Sequence, residues 1–154
     1  MSQILNNERV SKDWVIRVTS EDLKAIVAAP NSVRQIGTIP AGGGVEWCYV
    51  VQSVAEAGST TVVFNVGTTV GDPDEYIDAL DADAMTLNLP VFNTGDAMLQ
   101  AAGNSTILTG LRPATLTATA LPVYLKVTDA NVANLTAGEW MVGMRIMDTL
   151  KFIP

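Results

Sequence analysis

Between Ile39 and Asp83 the chain is broken too often for any long helix to form. It runs Ile39-Pro40-Ala41-Gly42-Gly43-Gly44, an alternating apolar stretch, Glu56-Ala57-Gly58-Ser59, and a second apolar stretch to Val66-Gly67. Val70-Gly71-Asp72-Pro73-Asp74-Glu75-Tyr76-Ile77 follows. Gly, Pro and Asp clusters of this kind mark turns, and the runs between them have strand length. Val45, Trp47, Tyr49 and Val51 alternate with Glu46, Cys48, Val50 and Gln52. The first set is large and apolar, so the two-residue period predicts that it faces the core. Thr60 to Val66 is then expected to return as its antiparallel partner.

The flanks carry the same signals. Trp14 to Thr19 reads as a strand, followed by a brief helix. Thr19 or Ser20 supplies its N-cap, Glu21 and Asp22 its acidic first turn, and Pro30 its end. Leu23, Ile26 and Val27 form its apolar face. Val33 to Ile39, Met85 to Phe92, Ser105 to Leu108, Thr115 to Thr119, Val123 to Thr128 and Trp140 to Met147 read as strands. In the last, Trp140, Val142, Met144 and Ile146 share a face. Asp72-Pro73-Asp74-Glu75 is expected to open a second short helix, with Asp72 as cap and Tyr76, Ile77 and Leu80 buried. These elements predict an all-β fold: an antiparallel β-sandwich, jelly-roll-like, with one or two very short helices. An α/β sheet would need longer helices between its strands. Residues 1–12 are polar and aperiodic and read as an N-terminal arm, leaving 13–154 as a single domain.

Composition excludes several functions. The net charge is −7, and no two of the nine Lys and Arg residues are adjacent, so no basic patch can bind nucleic acid or a membrane surface. No run approaches a membrane span, and the first residues lack the pattern of a signal peptide. There is no histidine, which removes the Ser-His-Asp triad and the commonest metal ligand. The single cysteine, Cys48, sits in an apolar run and reads as a small core residue.

The acidic run Asp72, Asp74, Glu75, Asp78, Asp81 and Asp83 could suit calcium, but its spacing is not that of an EF-hand and several members serve as caps. Two acids on one small element do not make a glycosidase pair. Gly42-Gly43-Gly44 lacks the Gly-Lys-Ser/Thr ending of a phosphate loop and leads into a strand. Met141, Met144 and Met147 read as packing residues. No catalytic residue, cofactor or metal is expected.

Four segments resemble the small structural proteins of tailed bacteriophages. They are Ile-Pro-Ala-Gly at 39–42, Val-Gly-Thr-Thr-Val-Gly-Asp-Pro-Asp-Glu-Tyr-Ile at 66–77, Val-Tyr-Leu-Lys-Val-Thr-Asp-Ala-Asn at 123–131 and Leu-Thr-Ala-Gly-Glu-Trp-Met-Val-Gly-Met-Arg-Ile at 135–146. The resemblance spans roughly residues 33 to 147. It implies a capsid decoration (cement) protein made in the host cytoplasm. Such a protein would be trimeric and would bind the major capsid protein at junctions of the shell. A tail, neck or fibre component and a carbohydrate-binding module are the alternatives. Trp14 and Phe152 are the expected interface anchors, since aromatics concentrate at interface cores. Equally, both could close the domain's own core.

Overall fold

The structure, a computed structural model, describes residues 11–92, 95 and 117–148. Eight strands and one α-helix occupy them, with single 3-10 turns at Pro30–Ser32 and Val132–Asn134: β1 (Ser11–Thr19), α1 (Ser20–Ala28), β2 (Val33–Ile39), β3 (Gly43–Ala57), β4 (Val63–Gly67), β5 (Ile77–Asp81), β6 (Val91–Phe92), β7 (Leu121–Thr128) and β8 (Ala137–Asp148). They form two four-stranded sheets, ordered β1-β8-β3-β6 and β2-β7-β4-β5, and all pairings are antiparallel. The pairs 1–8, 2–7, 3–6 and 4–5 are those of a long hairpin wound across two sheets. That is the jelly-roll arrangement. The all-β sandwich expected from the sequence is the fold found.

The core lies between the inner faces. Trp140, Val142 and Met144 of β8 meet Phe64 and Val66 of β4 and Val123, Leu125 and Val127 of β7, all buried. Phe64 meets Trp140 edge-on, with ring centroids 5.4 Å apart. The Trp140 indole Nε1 donates to the Ala82 carbonyl at 3.2 Å, so its one polar group is satisfied. Leu23 and Ile26 bury the inner side of α1, the helix that carries the chain from the first sheet to the second.

Helix α1 starts where the sequence places it. The Asp22 backbone N–H donates to Thr19 Oγ1, and Asp22 Oδ2 accepts from the Thr19 backbone N–H at 2.9 Å, a reciprocal capping box. Burial pushes the Asp22 carboxyl up, but the two Thr19 hydrogen bonds and the Arg34 ion pair outweigh it and hold the group below the usual range. A depressed folded-state pKa contributes stability above the unfolded value, and that stability is lost as pH falls through the folded one. Asp22→Asn should therefore cost about 1 kcal/mol at pH 7. The gap should close toward pH 2, as read from urea midpoints at both pH values. A gap that does not change with pH would contradict this assignment.

Three expectations need correction. The core-facing residues of β3 are Val45, Cys48, Val50 and Gln52, whereas Trp47, Tyr49 and Val51 are only partly buried and point outward. The register slips between Val45 and Trp47, with Glu46 as the extra residue. This bulge reverses the phase of every side chain after it. Second, β4 does not pair with β3 but crosses to the other sheet, between β5 and β7. Third, Asp72 starts no helix: residues 72–76 are loop, and Ile77 begins β5. Glu75 turns back instead, accepting from the Thr68 backbone N–H at 2.8 Å, and the Tyr76 N–H donates to the Val66 carbonyl at 2.9 Å.

Of the strand expected at Met85–Phe92, only Val91–Phe92 forms. The expected strand at Ser105–Leu108 lies outside the described residues. So do Thr115 and Leu116 of the one at Thr115–Thr119, and 117–119 form no strand. Gly42 takes a φ of 75° in the turn before β3, a conformation suited to glycine. Among the described residues no helix is long and apolar enough to cross a membrane.

Candidate interaction surface

The described acidic residues have structural work to do. Asp72 pairs with Lys126 at 3.4 Å, Asp78 Oδ1 accepts from the Asn65 amide at 3.2 Å, and Asp83 Oδ1 accepts from the Val62 N–H at 3.0 Å. Among the described residues no group of three His, Cys, Asp or Glu could hold a metal ion. Cys48 is buried, and burial pushes its thiol far above the ordinary range, so it is held as an unreactive thiol.

What stands out is the outer face of the β1-β8-β3-β6 sheet. Register places its outward residues in rows across the strands. One row is Val15, Gly143, Tyr49 and Phe92, and the next is Arg17, Met141 and Val51. On the other side lies Asp13, Arg145 and Trp47. Val15, Phe92 and Met141 are 49%, 50% and 38% exposed. Glycine at 143 makes room for the Tyr49 ring: a Cβ there would clash with Tyr49 Cζ, so any other residue would push the ring aside. Tyr49 therefore lies flat across β8, and Phe92 packs beside it with ring centroids 5.6 Å apart and planes tilted 48°.

Charge frames this apolar strip. Arg145 stacks over Trp47 at 4.6 Å and sits 3.2 Å from Glu46 and 3.6 Å from Asp13. Across the strip, Arg17 is paired with Glu139, whose other oxygen accepts from Ser53 Oγ at 2.9 Å. The Arg17 guanidinium, aided by Ser53, holds the Glu139 carboxyl below its usual range. The surface thus has an apolar centre and a rim of charged side chains that remain exposed enough to meet a partner, the anatomy of a protein interface. The opposite sheet shows the contrast. There Asn65 and Lys126 face each other across β4 and β7, and Asp78 joins them from β5.

Of the two anchors expected from the sequence, Trp14 is half-buried, packed on the core, and its ring closes over Gly37, where a Cβ would lie 2.8 Å from it. Phe152 lies outside the described residues. The residues that sequence reasoning missed are Tyr49, Trp47 and Val51, which it placed in the core. The signal was available on β8: Trp140, Val142 and Met144 fix the inner face, which leaves Gly143 outside with space for a ring.

No family model matches the chain, and no curated protein matches its sequence. Solved structures do resemble it. A chain of the cyanophage Pam1 capsid asymmetric unit matches with a TM-score of 0.51 and 19% identity, over 90% of this chain and 80% of that one. A chain from the capsid of Ralstonia phage GP4 matches at 0.49 and 13% identity, over 90% and 83%. One from the acid-stable capsid of the Helicobacter pylori bacteriophage KHP30 matches at 0.44 and 13%, over 88% and 86%. At such identities the likeness to the Pam1 chain establishes a shared fold.

Proposed function

We propose that this chain is a non-enzymatic structural protein of a bacteriophage virion that binds the capsid shell as a decoration, or cement, protein. The observation that carries the reading is the apolar strip Val15–Gly143–Tyr49–Phe92, with Met141 beside it, on the open face of a jelly roll. Strips of this kind mark surfaces that another protein covers. The fold shared with a chain of the Pam1 capsid asymmetric unit makes a capsid shell the fitting partner. Both rim arginines lie beside carboxylates of the same chain, which lowers the desolvation cost of docking on the major capsid protein. Quantitative mass spectrometry of purified virions tests the reading. The protein should remain with the particles through a density gradient, in numbers comparable to the shell protein. Its absence from washed particles would overturn the proposal.

One observation favours a second reading. Trp47, Tyr49 and Phe92 all face outward, as the aromatics of a carbohydrate-binding module do. Sugar platforms need coplanar rings with polar partners beside them, whereas here the Tyr49 and Phe92 planes are tilted by 48° and Val and Met fill the gaps. Binding on a glycan array that Tyr49→Ala abolishes would favour that reading over the virion one.

A further inference from the structure

The four edge strands of the sandwich are not alike. Strand β6 has two residues and β5 five, and β2 is broken by a bulge between Gln35 and Gly37. Short and bulged edges are the usual protection against pairing with another chain. Strand β1 has neither device. It runs nine residues from Ser11 to Thr19, pairs with β8 along its whole length without a register break, and is an edge among the described strands.

Its charges are placed symmetrically about Val15. Asp13 and Arg17 lie two residues to either side, on the outer face, with side chains 55% and 64% exposed. Each also has an ion pair within its own chain, Asp13 with Arg145 and Arg17 with Glu139, which a second copy would extend into a network. In an antiparallel pairing of β1 with a second copy of itself, centred on Val15, Asp13 would stand opposite Arg17 of the second copy, and Arg17 opposite its Asp13. Val15 would meet Val15 between them. On the inner side Trp14 would face Ile16 of the second copy, two residues that point toward the core yet remain only partly buried at this edge. Opposite charges directly across strands stabilise a pair, and like charges would oppose it. Moving the centre by one residue to Trp14 or Ile16 loses both matches.

We infer that β1 is the seam of a twofold homodimer in which two copies join their sheets edge to edge through this Val15-centred register. Such a contact is self-complementary, as a twofold requires. It also joins the two outer strips into one, running Phe92–Tyr49–Gly143–Val15 and back through the second copy. The inference does not depend on the virion reading.

Charge reversal tests it on the full-length chain by sedimentation velocity at low ionic strength. The wild type should be a dimer. Asp13→Arg and Arg17→Asp should each weaken the dimer by roughly tenfold or more, because each creates two like-charge pairs. Mixing the two variants in equal amounts should restore a dimer, as should the double variant D13R/R17D. A monomeric or trimeric wild type, or single variants that dimerise as it does, would overturn the inference. Should a variant fail to fold, hydrogen exchange of the wild type at low and high concentration decides the matter. The β1 amides should gain protection as dimer forms, and unchanged protection would overturn the seam.

Discussion

Replacing Trp140 with alanine should lower the unfolding free energy by about 3–5 kcal/mol, the range for truncating a fully buried aromatic. Trp140 has no exposed surface and lies at the centre of the sandwich. It meets Phe64 from the opposite sheet edge-on, and its Nε1 ties β8 to Ala82, just beyond β5. Removing it opens a cavity, forfeits the aromatic contact and takes the indole hydrogen bond from the Ala82 carbonyl, and these losses act together. Trp140→Phe should cost less, since it retains a ring against Phe64 and loses the hydrogen bond. Urea unfolding of the three proteins measures the order. A loss below about 1.5 kcal/mol for the alanine variant would mean that the sheets do not pack through this residue.

Phe92→Asp combined with Met141→Asp should have the opposite signature. Both side chains project from the outer strip, so unfolding should change little, as for surface substitutions generally. Affinity for capsids should fall by about thirtyfold or more, because two carboxylates would have to be desolvated at the centre of the contact. The comparison is made by titrating wild-type and variant protein onto particles that lack it and measuring occupancy. Undiminished occupancy by a folded variant would remove this face from the mechanism.

These two predictions fall on opposite faces of one sheet, and that division was only partly legible in the sequence. The inner face of β8 was readable because Trp140, Val142 and Met144 alternate with a glycine, a charge and one exposed methionine. The helix start was readable because Thr19 and Asp22 satisfy each other within one turn, independent of the rest of the chain. Strand β3 misled because both of its faces are apolar. Size favoured Trp47, Tyr49 and Val51 for the core, but the smaller Cys48 and Val50 occupy it. Alternation alone cannot say which apolar face a second protein would cover, and the extra residue at Glu46 shifts the phase besides.

Asp72-Pro73-Asp74-Glu75 misled for a different reason. The same residues that cap a helix also close a loop. What decided between them was a long-range pairing of Val66 with Ile77, which no local signal reports. Strand order is likewise non-local. The pairing of β1 with β8 joins residues more than a hundred positions apart, so the sandwich was legible as a class before its winding was.

On the proposed function, this jelly roll sits on a phage shell through the outer face of its β1-β8-β3-β6 sheet. Cryo-electron microscopy of the intact particle, at a resolution that shows side chains, tests it most directly. The account predicts density for this chain on the capsid surface, with Tyr49, Phe92 and Met141 buried against the major capsid protein. Density confined to the tail or neck, or a capsid contact made through the polar face of Asn65 and Lys126, would contradict it.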